Sequence, residues 1–230
     1  FRSIQNNRSI IMALSKIDAA NFLTGTIPQG NVANASLNAV TALPAAVPTG
    51  SWIKLAETNV TSNTASVEFT DATTGVFDGT YRTHAVLIRR LVPENADVQL
   101  TLRMRDASDG NYETSSYAYA TRGYDSGGSS RSDENTSAGG INTLGGGDGM
   151  GDGSGKYGTS CIIYCNDFFD NGMPPSIFGH GAYGDTGGAI AANYYAGTYR
   201  DTSIQMDGVK FFFSGGNISQ GNFIMYGVQE

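Results

Sequence analysis

The sequence predicts an all-β fold: a jelly-roll-like antiparallel β-sandwich over residues 51–230, preceded by an extended N-terminal arm over residues 1–50. Three observations carry this expectation. Several segments alternate apolar and polar residues with period two, most clearly Val98-Gln-Leu-Thr-Leu-Arg-Met-Arg105. Glycine is abundant, at 31 residues, and charged residues are only 15% of the chain, which fits a turn-rich β-protein and not a helical bundle. About nine short strand signals are separated by turn residues, the pattern of a sandwich or jelly roll.

Along the chain, the arm comes first. Residues 21–40 are small and polar with apolar residues thinly spaced, and Pro28, Pro44 and Pro48 favour extended backbone. The segment has too little apolar mass to fold alone. A flexible linker would be mostly Ser and Gly. Phe22, Leu23, Ile27, Val32 and Leu37, followed by Val40 and Leu43, instead favour an anchoring arm that orders against neighbouring copies. A short helix near Lys16 to Phe22 is a local option, and Met12-Ala-Leu-Ser-Lys-Ile17 resembles a translation start.

Strands are expected at Trp52–Thr58, Ala65–Thr70, Thr83–Leu91, Val98–Arg105, Glu113–Thr121, Thr159–Asn166, Ala189–Tyr195, Val209–Ser214 and Asn222–Val228. Asp106-Ala-Ser-Asp-Gly-Asn111 reads as a turn. Gly123–Gly158, dominated by Gly, Ser, Asp and Asn, reads as a surface loop or a strap on a neighbouring subunit. At the end of the sequence, Val209, Phe211 and Phe213 share one face and Lys210 and Phe212 the other. A Gly/Asn/Ser turn then leads to Phe223, Met225 and Gly227 alternating with Ile224, Tyr226 and Val228. This reads as a closing hairpin tied into a sheet.

That ending carries a resemblance. Gly208-Val-Lys-Phe-Phe-Phe-Ser-Gly-Gly-Asn-Ile-Ser-Gln-Gly-Asn-Phe-Ile-Met-Tyr-Gly227 is similar to the closing hairpin of a β-sandwich module of tailed-phage fibre and virion-surface proteins, marine and cyanobacterial phages above all. Ser51-Trp-Ile-Lys-Leu-Ala-Glu-Thr-Asn-Val-Thr-Ser-Asn-Thr-Ala-Ser-Val-Glu-Phe-Thr70 resembles that module's opening pair of strands. Leu23-Thr-Gly-Thr-Ile-Pro28 with Leu43-Pro-Ala-Ala46 resembles the thin stem before it. The resemblance implies a non-enzymatic virion protein, assembled in the host cytoplasm. A tail fibre or spike displaying the sandwich for host attachment is the leading reading, with capsid decoration or head fibre, and a carbohydrate-binding module, as alternatives. Its implied partners are itself, as a homotrimer, other tail or capsid proteins, and a host surface glycan or protein.

Charge and cysteine content narrow the classes further. The net charge is −7, and Arg89-Arg90 is the only adjacent basic pair. Gripping nucleic acid needs a basic patch that displaces counterions from phosphate, so no nucleic-acid partner is expected. No stretch approaches the ~20 apolar residues of a membrane-spanning helix, and no secretory signal is apparent. Cys161 and Cys165 lie four apart, roughly 13 Å along a strand, whereas a disulfide needs Cα atoms within about 7 Å. They read as two buried free thiols, or as a pair only if the segment bends sharply.

Catalytic patterns are weak. Gly145–Gly155 lacks the Gly-Lys-Ser/Thr ending of a phosphate loop and the ligand spacing of an EF-hand, which leaves weak Ca²⁺ binding by Asp148 and Asp152 as its one metal reading. No cofactor or metal is expected. Asp167 and Asp170 are the best carboxylate pair for glycoside hydrolysis, but Asp beside a strand end is more often a turn former. Tyr117, Tyr119, Tyr124, Tyr183, Tyr194 and Tyr195, with His180, are the candidate binding residues. Tyrosine offers an apolar plane with a polar tip, suited to subunit contacts and sugar stacking alike.

Overall fold

The structure is a computed structural model that describes residues 51–71, 76–153, 158–170, 172–201 and 204–229. The expected arm over residues 1–50, with Phe22, Leu23, Ile27, Val32 and Leu37, lies outside the described residues, as does the expected short helix. Twelve strands are present among the described residues: β1 (Trp52–Val60), β2 (Val67–Thr70), β3 (Thr83–Pro93), β4 (Leu100–Asp106), β5 (Tyr117–Asp125), β6 (Ser130–Ala138), β7 (Ile141–Leu144), β8 (Thr159–Asn166), β9 (Ser176–Gly184), β10 (Ile190–Tyr199), β11 (Met206–Phe213) and β12 (Ile218–Val228). They form an eight-stranded sheet of order β1-β12-β3-β8-β9-β10-β5-β6 and a four-stranded sheet of order β2-β11-β4-β7.

The pairing shows a jelly roll with an extension. β1 pairs with β12, β2 with β11, β3 with β8 and β4 with β7, all antiparallel. Those eight strands pair outermost with outermost and innermost with innermost, which is how an eight-stranded jelly roll folds into two facing sheets. The remaining four strands, β9, β10, β5 and β6, continue the larger sheet beyond β8.

Alternation explains the core. The inward residues of β4, Leu100, Leu102 and Met104, are fully buried, and they face Val86, Ile88, Ile163, Phe223 and Met225 of the larger sheet within one apolar cluster. Burying such side chains contributes about 1.5–3 kcal/mol each. Phe211 of β11 and Phe223 of β12 meet across this core, with ring centroids 5.8 Å apart.

That contact marks a correction. The expected closing hairpin is not a hairpin: β11 lies in the small sheet and β12 in the large one, joined by a turn over 214–217. The opening pair, β1 and β2, is likewise divided between the sheets. Both faces of a sandwich show the same alternation, so the pattern cannot distinguish a hairpin from an arch between sheets. β12 is tied in as expected, between β1 and β3.

The loop expected over 123–158 is also corrected. It holds the end of β5, all of β6 and all of β7. Asp125 Oδ1 accepts from the backbone N–H groups of Gly127 and Ser129 at 2.8 and 2.9 Å, closing the β5–β6 turn. Met150 is fully buried, and its backbone bridges Val98 and Asp185. Arg131 of β6 reaches three carboxylates, Asp125 at 2.5 Å, Asp185 at 2.6 Å, and Asp148. The Arg131 and Asp185 side chains are almost wholly buried, so this cluster fastens the glycine-rich turns to the sheet extension.

The outer face of the large sheet as candidate functional site

The small sheet covers one face of the large sheet, where the apolar cluster lies, and leaves the other face outward. Register assigns the outer residues. Across the sheet, Lys54, Tyr226, Ala85, Tyr164, Phe178, Ala196, Ala120 and Glu134 are successive partners on β1, β12, β3, β8, β9, β10, β5 and β6. Trp52 leans over this row. Its ring centroid is 5.6 Å from Tyr226 and 6.0 Å from Tyr164, and Tyr164 stacks on Phe178 at 4.8 Å with an interplanar angle of 16°. Ala85, between Tyr226 and Tyr164, is fully buried yet outside the core cluster, so the rings above it close over it. Trp52 is 40% and Phe178 49% exposed. Four aromatic rings thus make a platform; from Tyr226 on β12 to Phe178 on β9 it crosses four strands, about 14 Å at the usual strand spacing, and Trp52 of β1 leans over its β12 end.

The next row continues through Leu87, Ile162, His180, Tyr194 and Arg122. His180 and Tyr194 have ring centroids 6.0 Å apart and stand beside a shallow trough of about 460 Å³, whose small residues are Gly181, Ala182 and Ala192. Beyond it, Tyr124 stands opposite Ala192 and is 68% exposed. On the other side, Ser160 borders both this trough and a polar cleft of about 970 Å³ that contains Arg89 and Arg90. There, Arg89 donates to Asn222 Oδ1 at 2.9 Å and Asn222 donates to Glu57 Oε1 at 2.7 Å. Lys54 completes the chain, and its hydrogen bond to Glu57, with that of Asn222, holds the Glu57 carboxyl below the usual carboxylate range.

The candidate binding residues divide. Tyr124, Tyr194 and His180 lie on this outward face. Tyr117, Tyr119, Tyr183 and Tyr195 do not: they point inward and are buried. Tyr117 donates to the Met104 and Glu113 carbonyl oxygens, Tyr119 to Asp133 Oδ2, Tyr183 to Gly146 O and Tyr195 to Ile162 O. Each ring fills the space between sheets while its hydroxyl finds a partner, the usual condition for burying tyrosine. Adjacent Tyr194 and Tyr195 face opposite sides because a strand has period two.

The remaining candidates fall to structural roles. Asp167 adopts a positive φ of 57°, and Asp170 Oδ1 accepts from the Gly172 N–H at 2.8 Å, so both shape the turn after β8. Asp148 is engaged by Arg131. Among the described residues, no group of three or more His, Cys, Asp or Glu could hold a metal ion. Cys161 and Cys165 are free and buried, and burial pushes the Cys161 thiol up to about 12. No described helix is long and apolar enough to cross a membrane.

Trp52, Tyr164, Phe178 and Tyr226 were not among the sequence candidates. Trp52, Tyr164 and Tyr226 sit within expected strands, but their convergence depends on the order β1-β12-β3-β8-β9, which local pattern does not encode. No family model matches the chain, and no curated protein or solved structure does either.

Proposed function

We propose that this chain is a surface protein of a tailed-phage particle, a fibre or spike in kind, that attaches to host glycan through the outward face of its eight-stranded sheet. The outward aromatic platform, with Trp52 and Phe178 exposed and Tyr164 and Tyr226 half-buried beside them, carries the binding part of this reading. Flat rings lying along a sheet offer apolar surface to the C–H faces of sugar rings, and the tyrosine hydroxyls offer hydrogen bonds at the edges. The virion part is supported by the resemblance of Gly208–Gly227 and Ser51–Thr70, and by a jelly roll, an architecture that recurs in viral and lectin domains. Fold alone does not specify function, so the site carries the argument.

Mechanistically this is attachment without turnover. A shallow face with few directional contacts binds one oligosaccharide weakly, and several copies on one particle multiply the effect through effective concentration. A homotrimer supplies three such faces. The test is binding of the labelled full-length chain to host cells, beside Trp52→Ala and Tyr164→Ala. Loss of binding at unchanged melting temperature supports the reading. Binding that survives both substitutions, or a chain located only on the capsid lattice, contradicts it and favours head decoration.

A further inference from the structure

We infer that the polar cleft beside the aromatic platform is an anion subsite built around Arg90, so that the glycan taken by this face is acidic, bearing carboxylate or sulfate groups. The inference rests on the glycan reading above and names its substrate class.

Arg90 occupies an irregularity. The β3–β8 register slips between Ile88 and Leu91, and the β3–β12 register shifts opposite, between Gln220 and Asn222. An inserted residue of this kind bends the strand and re-aims a side chain, a device found next to functional sites. Arg90 takes it at φ 53°, a left-handed conformation that costs a non-glycine residue stability. Glycine would fit that backbone, and arginine is there instead. No hydrogen bond or ion pair among the described residues repays the strain: Arg90 is exposed, and its guanidinium has no such partner there.

The surroundings suit an oxyanion. Arg89, the other member of the pair, is fixed by Asn222 and adds a second positive charge. The one carboxylate in the cleft, Glu57, is already engaged by Lys54 and Asn222. A guanidinium fork matches a carboxylate or sulfate with two parallel hydrogen bonds. Distance also fits. Ala85 lies in the aromatic row and Arg89 four residues further along β3, about 13 Å. One oligosaccharide lying along β3 can therefore stack at one end and present an acidic group at the other. The chain carries a net charge of −7, so preference for an anion must come from this local pair and not from the overall field.

The test titrates the full chain, followed by Trp52 fluorescence and calorimetry, with three hexasaccharides: a polyuronate, the same polyuronate with its carboxyls reduced to alcohols, and a sulfated neutral glycan. At least one acidic form is expected to bind about ten-fold more tightly than the reduced one, the size of one charge-assisted contact. The two acidic arms decide between carboxylate and sulfate. Arg90→Gly is expected to erase that preference, leave affinity for the reduced sugar unchanged and hold or raise the melting temperature, because glycine relieves the strain. Arg90→Lys is expected to retain part of the preference. Equal binding of acidic and reduced sugars, or a preference that survives Arg90→Gly, overturns the anion subsite alone. Absence of binding to all three overturns the glycan reading with it.

Discussion

Gly179 gives a test in which the sign of the effect is diagnostic. It sits in the middle of β9, a strand whose sequence, Ser176-Ile-Phe-Gly-His-Gly-Ala-Tyr-Gly184, has three glycines and would ordinarily be demoted. Replacing an exposed loop or frayed-strand glycine by alanine usually stabilises by about 0.4–1 kcal/mol, because the unfolded chain loses freedom. In the folded sheet the opposite is expected. A Cβ at Gly179 would lie 2.1 Å from the carbonyl oxygen of Ile162 and 2.7 Å from the Tyr195 ring. The oxygen belongs to the paired strand β8 and accepts the Tyr195 hydroxyl at 2.7 Å, so it cannot move without breaking that bond. Overpacking of this kind costs about 1–3 kcal/mol. For a domain of this size that lowers the melting temperature by roughly 2–4 °C per kcal/mol. The assay is thermal unfolding followed by circular dichroism, with Gly158→Ala as control, since nothing lies within 4 Å of a Cβ there. Gly179→Ala should melt several degrees lower and Gly158→Ala should not. A Gly179→Ala protein as stable as the parent would mean that β9 is not packed against Tyr195 and does not extend the sheet beyond β8.

Other expectations follow from the same contacts. Leu102→Ala, at a fully buried position, should cost about 2–5 kcal/mol in urea unfolding, whereas Arg103→Ala, whose side chain lies over Phe212 on the outer side, should cost well under half of that. Arg131→Met should lower the melting temperature markedly by leaving Asp125 and Asp185 without their cation, while Arg122→Met, which breaks an exposed pair with Glu134, should change it little. Burial pushes the His84 pKa down while its Nε2 stays on the Val76 carbonyl oxygen at 2.6 Å. Between the lowered folded value and the unfolded value near 6.5, the unfolded chain binds the extra proton. Stability should therefore be level above about pH 7 and fall as pH drops below about 6.5, and melts of His84→Gln should lose that slope between pH 7.5 and 5.5. Neither cysteine should react with a thiol reagent at pH 8 until the protein unfolds, because both are buried and the Cys161 thiol is held far above that pH.

Strand identity was legible wherever apolar alternation was strong. β8 has the bounds expected of it, Thr159–Asn166, and the inward set Val98, Leu100, Leu102 and Met104 is buried as the alternation requires. Three strands were illegible for separable reasons. β6, Ser-Arg-Ser-Asp-Glu-Asn-Thr-Ser-Ala, is an edge strand held by its partner's backbone, by the Arg131 cluster and by Asp133, which accepts from Tyr119 and Asn142. Its polarity reads as loop, although polar edges are how sheets avoid pairing with other chains. β7 is only four residues long and is flanked by glycines. β9 carries glycines because Tyr195 and Cys161 need the space that side chains would take, a cross-strand fact invisible in a local window. The candidate face was half legible. Of the candidate binding residues, Tyr124, Tyr194 and His180 lie on it, but long-range packing turns Tyr117, Tyr119, Tyr183 and Tyr195 inward. Composition names tyrosines; only strand phase and sheet order decide which side they serve.

The most direct test of the central claim uses the fact that the chain has one tryptophan. The indole N–H resonance of Trp52 is followed by two-dimensional NMR of the full chain as host envelope polysaccharide fragments are added. This resonance should shift saturably, together with backbone signals around Tyr164, Phe178 and Tyr226, while signals of the distant edge strand β6 stay in place. Saturable shifts confined to other surfaces, with Trp52 unmoved, would contradict it.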